Sequence, residues 1–269
     1  MRGEKSGVRP TCLVSERVWF RVLVALLLVA PVVATRQVPP EEISLAISQV
    51  LSHPLATTFP ALLVVAKAAL VLAFFVPLLL RSDKAGVALL AYYGVILLVV
   101  GLFQNMSVST DYGFVWVIGN TAAQWIVAGF VAAALGRVRK DGMSLELHPE
   151  RTWMIVPIAL ALLEPYGVGE AGNLVPAFDL GVLTNDTGVT YCMITPVVLG
   201  TMLVWGMDEG PAREAVSLAS YVGLLFGILN LATWFVFMPA SWWMGVLHLP
   251  LVVVSVAGMA ETRRRRGLR

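Results

Sequence analysis

Eight stretches of apolar residues follow one another along the chain, with lengths and intervals that fit helices crossing a bilayer, each needing about 20 apolar residues to span the hydrocarbon core. They run Val18 to Ala34, Phe59 to Leu80, Ala85 to Phe103, Phe114 to Leu135, Trp153 to Tyr166, Val189 to Trp205, Ala215 to Phe237 and Trp242 to Met259. The pattern predicts an all-α fold, a polytopic integral membrane bundle of about eight transmembrane helices. Between the first two stretches, Pro39-Pro40-Glu41-Glu42 supplies a helix start with acids in its first turn, and Ile43, Ile47, Val50 and Leu51 follow at helical spacing. A short interfacial helix after the first span, ending near Pro54, is therefore expected.

Composition agrees with the pattern. With 58% hydrophobic and 13% charged residues, the chain is far from the roughly one-quarter charged content of soluble domains. One membrane domain, residues 18–260, occupies nearly all of it, between a basic N-terminal tail (1–17) and an Arg-rich C-terminal tail (261–269). The first stretch has a competing reading as a cleaved signal peptide, because Val22 to Ala34 is short and Val32-Val33-Ala34 resembles a cleavage site. The net charge of +2 matters less than its distribution. An N-in, C-in arrangement puts every Lys and Arg on the inner side except Arg36 and Lys67, as the positive-inside rule requires. Glu41, Glu42, Asp111, Glu170, Asp179 and Asp186 then give the outer face an acidic rim.

Within this frame one residue stands out. Lys67 lies inside the second stretch, roughly ten residues from either end, where a charge costs at least ~2.5 kcal/mol and marks a functional-site hypothesis. Glu164, in the break Glu164-Pro165-Tyr166-Gly167 that ends the fifth stretch, falls at a similar depth and is its expected partner. Asn120 and Gln124 in the fourth stretch, Asn230 in the seventh and His248 in the eighth complete the candidate set. Asn120, Asn230 and His248 share a depth of roughly 10 to 12 Å below the outer ends, which fits either the border of an outward-facing polar cavity or hydrogen-bond glue between helices.

Other features carry less. Asn105-Met106-Ser107 and Asn185-Asp186-Thr187 are glycosylation triplets in expected outer loops. Asp111 to Trp116 and Asp186 to Tyr191 share a D-x-G-apolar-x-aromatic pattern, which reads as two helix caps or a duplicated hairpin. Ser220, Gly223 and Gly227 form a small-residue stripe suited to close packing, expected to mate within the chain. Neither cysteine has metal or redox spacing, and no second histidine lies near His248, so no metal and no cofactor are expected.

These observations favour a small-solute transporter or permease with a polar cavity open to the outer face. Its expected partners are the lipid bilayer, a small polar solute, and anionic headgroups at the C-terminal arginines, with an oligomer open and nucleic acid excluded. A membrane-embedded enzyme acting on a lipid or isoprenoid is the alternative, weakened by the absence of D-x-x-x-D, H-E-x-x-H or phosphate-loop motifs. A structural subunit of a larger membrane complex is the third reading.

Overall fold

A computed structural model describes residues 14–168 and 174–267. Its helices are α1 (Val18–Leu27), α2 (Ile43–Ser52), α3 (Pro60–Leu80), α4 (Asp83–Phe103), α5 (Ile118–Asp141), α6 (Ile155–Leu163), α7 (Tyr191–Val204), α8 (Arg213–Ala232) and α9 (Trp242–Gly267). Five of them, α3, α4, α5, α8 and α9, are long and apolar enough to cross a membrane. The other three expected spans are shorter helices: α1 has 10 residues, α6 nine and α7 fourteen. Each is preceded by 3-10 helix: Val14–Glu16 before α1, Pro149–Met154 before α6 and Asp186–Val189 before α7. Residues 180–189 and α7 together form a sixth apolar segment, bent by 86°.

The helices gather around α7, all fourteen residues of which are buried in protein. A helix that is apolar all round belongs at the centre of a bundle. It packs against α9, α6, α8, α3 and α4. Around it, α8 and α9 lie close because the small-residue stripe faces α9 of the same chain. A Cβ added at Gly223 would stand 2.5 Å from Ser255 Oγ, and one at Gly227 would stand 2.6 Å from Val252 Cγ2. Leu70, Leu90, Tyr93, Leu97, Ile158 and Leu199 fill the same apolar core.

Successive elements alternate between two ends of the bundle. One end collects Glu16, Arg137, Arg151, Asp208, Arg213, Glu214 and Glu261, joined by ion pairs. Arg151 is buried, donating to Leu203 O (2.8 Å), to both Asp208 oxygens (2.7 and 3.3 Å) and to Glu261 Oε2 (2.8 Å). Burial alone would lower its guanidinium, yet these carboxylates hold it above the ordinary arginine value. Arg213 likewise donates to Glu16 Oε1 (3.1 Å) and Thr262 O (3.0 Å). Both arginines thus donate to backbone carbonyls towards the C-terminal ends of α7 and α9, where the helix dipole favours a cation.

The opposite end carries structure that the apolar pattern did not reveal. Strands β1 (Val33–Ala34), β2 (Met106–Ser109) and β3 (Gly113–Trp116) form an antiparallel sheet in the order β1-β3-β2. Ala46 and Val50 of α2 pack on Tyr112, Val115 and Val117 beneath it, and the Tyr112 hydroxyl donates to Glu42 Oε2 (2.9 Å). A second hairpin, β4 (Tyr166–Val168) with β5 (Leu174–Pro176), follows α6. The shared D-x-G pattern does not give a shared structure. Gly113 opens a strand at φ 69°, whereas Asp186 to Val189 form a 3-10 turn leading into α7. The basic N-terminal tail up to residue 13, with Cys12, and the loop residues Glu170 and Asn173 lie outside the described residues.

Candidate functional site

Lys67 lies seven residues on from the start of α3 at Pro60 and thirteen before its end at Leu80, a little to the Pro60 side of the helix midpoint. Its side chain is buried and points at the place where two other segments are broken. The first break is the C-terminus of α6. There Glu164 takes the left-handed conformation (φ 42°, ψ 70°), ends the helix and turns the chain into β4. That conformation costs a non-glycine residue about 1 to 2 kcal/mol, so packing must hold it. The second break is the 3-10 turn Asp186–Val189 before α7, with Asn185 as its cap.

The two breaks close around the ammonium. Lys67 Nζ donates to Leu162 O, one of the free carbonyls at the end of α6, and to Asn185 Oδ1 at 3.0 Å. Asn185 turns its amide the other way, donating to Glu164 O (3.0 Å) and Leu163 O (3.3 Å). Thr187 Oγ1 lies 2.9 Å from Glu164 Oε2 and 2.5 Å from Asn185 Oδ1. Lys67 and Glu164 thus share one cluster, in Coulombic range, but Asn185 and Thr187 stand between them in place of a direct ion pair. Asp186 adds a second carboxylate, accepting from the Tyr166 hydroxyl and from Thr190 Oγ1 (3.4 Å).

Gly188 makes this assembly possible. A Cβ there would stand 2.3 Å from Lys67 N and 2.4 Å from Ala66 C, both backbone atoms that cannot yield. Only glycine lets the turn rest directly on α3 at the level of Lys67. An apolar groove of about 290 Å³ is lined by Leu163, Pro165, Phe178, Leu180 and Leu183, with Asp179 among them, so it borders the segment that carries Glu164.

Among the described residues no hydrogen bond joins the remaining candidates to Lys67 or Glu164 or to one another. Asn120 sits half-buried in the first turn of α5, shallower than its sequence position implied, because residues 113–116 are strand rather than helix. Gln124 Oε1 accepts from Asn105 Nδ2 (3.1 Å) in a fully buried contact between α5 and the end of α4. Asn230 Nδ2 donates to Phe226 O (2.8 Å) and Cys192 Sγ (3.2 Å). His248 Nδ1 lies 2.8 Å from Met244 O in its own helix, its ring 6.1 Å from that of Trp234.

Both glycosylation triplets prove to be internal. Asn105 is fully buried and Asn185 spends its amide on the α6 carbonyls, so neither nitrogen is presented for modification. Asn185, Thr187, Gly188 and Tyr166 belong to the site although the sequence marks them only as parts of a glycosylation triplet, a repeated pattern and a helix break. Among the described residues no three His, Cys, Asp or Glu side chains gather as metal ligands. Comparison with known protein families, characterised proteins and solved structures found no match.

Proposed function

We propose that the protein is a multi-pass membrane permease for a small polar solute, with its binding site at the Lys67, Asn185, Thr187 and Glu164 cluster. The observation that carries this reading is the meeting of two broken apolar segments around one buried ammonium. Unwound backbone at such depth is tolerated where it is enclosed by protein or lines a cavity, and half-helix ends facing an ion are how many carriers build their central sites. A purely structural bridge could be made with two intact helices and one ion pair. Here two helices give up regular hydrogen bonding to place carbonyls and an amide at the charge.

In this reading the stretches that hold α1, α6 and the bent α7 cross with the five long helices, giving eight crossings. The end rich in Arg and Lys is cytoplasmic, and the end bearing the two sheets faces outward with Arg36 as its one basic side chain among the described residues. The hydrogen bonds of Gln124 to Asn105 and of Asn230 to Cys192 of α7 favour glue between helices at those positions, and His248 bonds within its own helix, which confines the solute path to the Lys67 cluster.

Labelling from each side tests the reading. Thr187→Cys in a chain without other cysteines should react, in sealed liposomes, with a small impermeant thiol reagent added on the outer side, with Thr110→Cys as the exposed control. Protection of position 187 from both sides in a folded protein would reduce the cluster to a static bridge.

A further inference from the structure

Resting on that reading, we infer that the site takes a primary ammonium solute with a short apolar body, and that the Lys67 ammonium occupies the solute's place in the structure described here. The atoms that touch the ammonium are a backbone carbonyl, Leu162 O, and a side-chain amide oxygen, Asn185 Oδ1. Both are neutral acceptors suited to N–H donors. The carboxylate of Glu164 stands two hydrogen bonds beyond Asn185 Oδ1, reached through Thr187, and that of Asp186 is held by Tyr166. A hard metal ion would draw six or more oxygens, carboxylates first, into direct contact. This arrangement instead gives an ammonium directional acceptors close by and compensating negative charge at longer range. The free carbonyls at the end of α6 reinforce it, since a helix C-terminus attracts cations.

The tether that carries the resident ammonium can also withdraw it. Lys67 is seven residues from the outer end of α3, about 10 Å, and its four-carbon stem can carry the charge towards that end while remaining against apolar surface. A solute ammonium would then meet the vacated acceptors. Its carbon body has a place beside them, because the groove of about 290 Å³ is lined by Leu163 and Pro165, the chain neighbours of Glu164, whose carboxylate bonds to Thr187 of the cluster. That volume is at the small end of the range for ligand sites, enough for a few carbons.

The test replaces the tether and supplies the ammonium from solution. Lys67→Ala, full length in detergent, should show a saturable rise in Tm of about 3 °C once ethylammonium chloride is roughly tenfold above its Kd, with no such rise in equal tetramethylammonium chloride or NaCl. Hexylammonium should saturate at lower concentration than ethylammonium, and adding Leu163→Trp to crowd the groove should remove that advantage alone. Equal responses to all three salts would overturn the inference. Should Lys67→Ala not fold, the wild-type protein decides: stabilisation by hexylammonium but not by hexanol or hexanoate supports the site, and no preference for the amine overturns it. Because Tm reports occupancy and thiol labelling reports access, rescue without labelling would sink the permease and leave the amine site standing.

Discussion

At the scale of single residues, the site depends on what is absent as much as on what is present. Gly188 lets the turn before α7 touch the backbone of α3, and Gly188→Ala should destabilise the protein by about 3 kcal/mol in denaturant unfolding in detergent, because the clash is with main-chain atoms that no rotamer change relieves. A loss below about 0.5 kcal/mol would mean that the turn does not rest there. The charges themselves were legible in the sequence, since an apolar stretch makes any lysine or glutamate conspicuous and depth alone puts Lys67 near Glu164. Asn185 and Thr187 were not. Their triplet reads as a surface glycosylation signal, and only the fold shows that the amide is spent on the carbonyls of Leu163 and Glu164.

At the scale of elements, the apolar pattern identified every stretch that holds a core helix but misjudged how much of each is helical. Its period cannot separate helix from short extended segments that are equally apolar, which is why Val33–Ala34 and Gly113–Trp116 read as parts of spans although they pair as strands. Close packing of α8 within the chain was readable, because glycines spaced along a helix face have few other uses in a bundle, but its partner α9 was not. Gly223→Leu should cost about 1 to 3 kcal/mol by driving α8 from Ser255, whereas the same change at Gly129, which has nothing within 4 Å of an added Cβ, should be near neutral. Equal effects at both positions would contradict the packing described.

The connection that leads into α6 supplies an electrostatic prediction at the same scale. His148 lies between Glu150 and Glu209, with nitrogen to oxygen distances of 2.9 and 3.1 Å, and its backbone nitrogen donates to Val204 O (2.9 Å) at the end of α7. The Glu150 carboxyl is held below the ordinary glutamate value by its own backbone N–H first and by His148 second. A lowered carboxylate pKa stabilises the fold at pH above the unfolded-state value, and that contribution is lost as pH falls through the folded value. The Tm difference between wild type and Glu150→Gln should therefore be present at neutral pH and vanish on acidification through the carboxylate range. A difference independent of pH would show that the contact is not ionic.

At the scale of the whole molecule, one cluster joins three parts of the chain that are far apart in sequence: α3 through Lys67, the end of α6 through Leu162 and Glu164, and the entry to α7 through Asn185 and Thr187. Since α7 is the buried centre of the bundle, this joint bears on the stability of the entire fold as well as on any solute path. The central claim is that Lys67 and Glu164 belong to a single buried site even though no direct ion pair links them. A double-mutant cycle of unfolding free energies in detergent tests it most directly. Lys67→Met and Glu164→Gln should each cost about 3 kcal/mol, because each leaves the other charge buried without compensation, and the double variant should lose less than their sum by about 1 to 3 kcal/mol. Single effects that add to within about 0.5 kcal/mol would contradict the account.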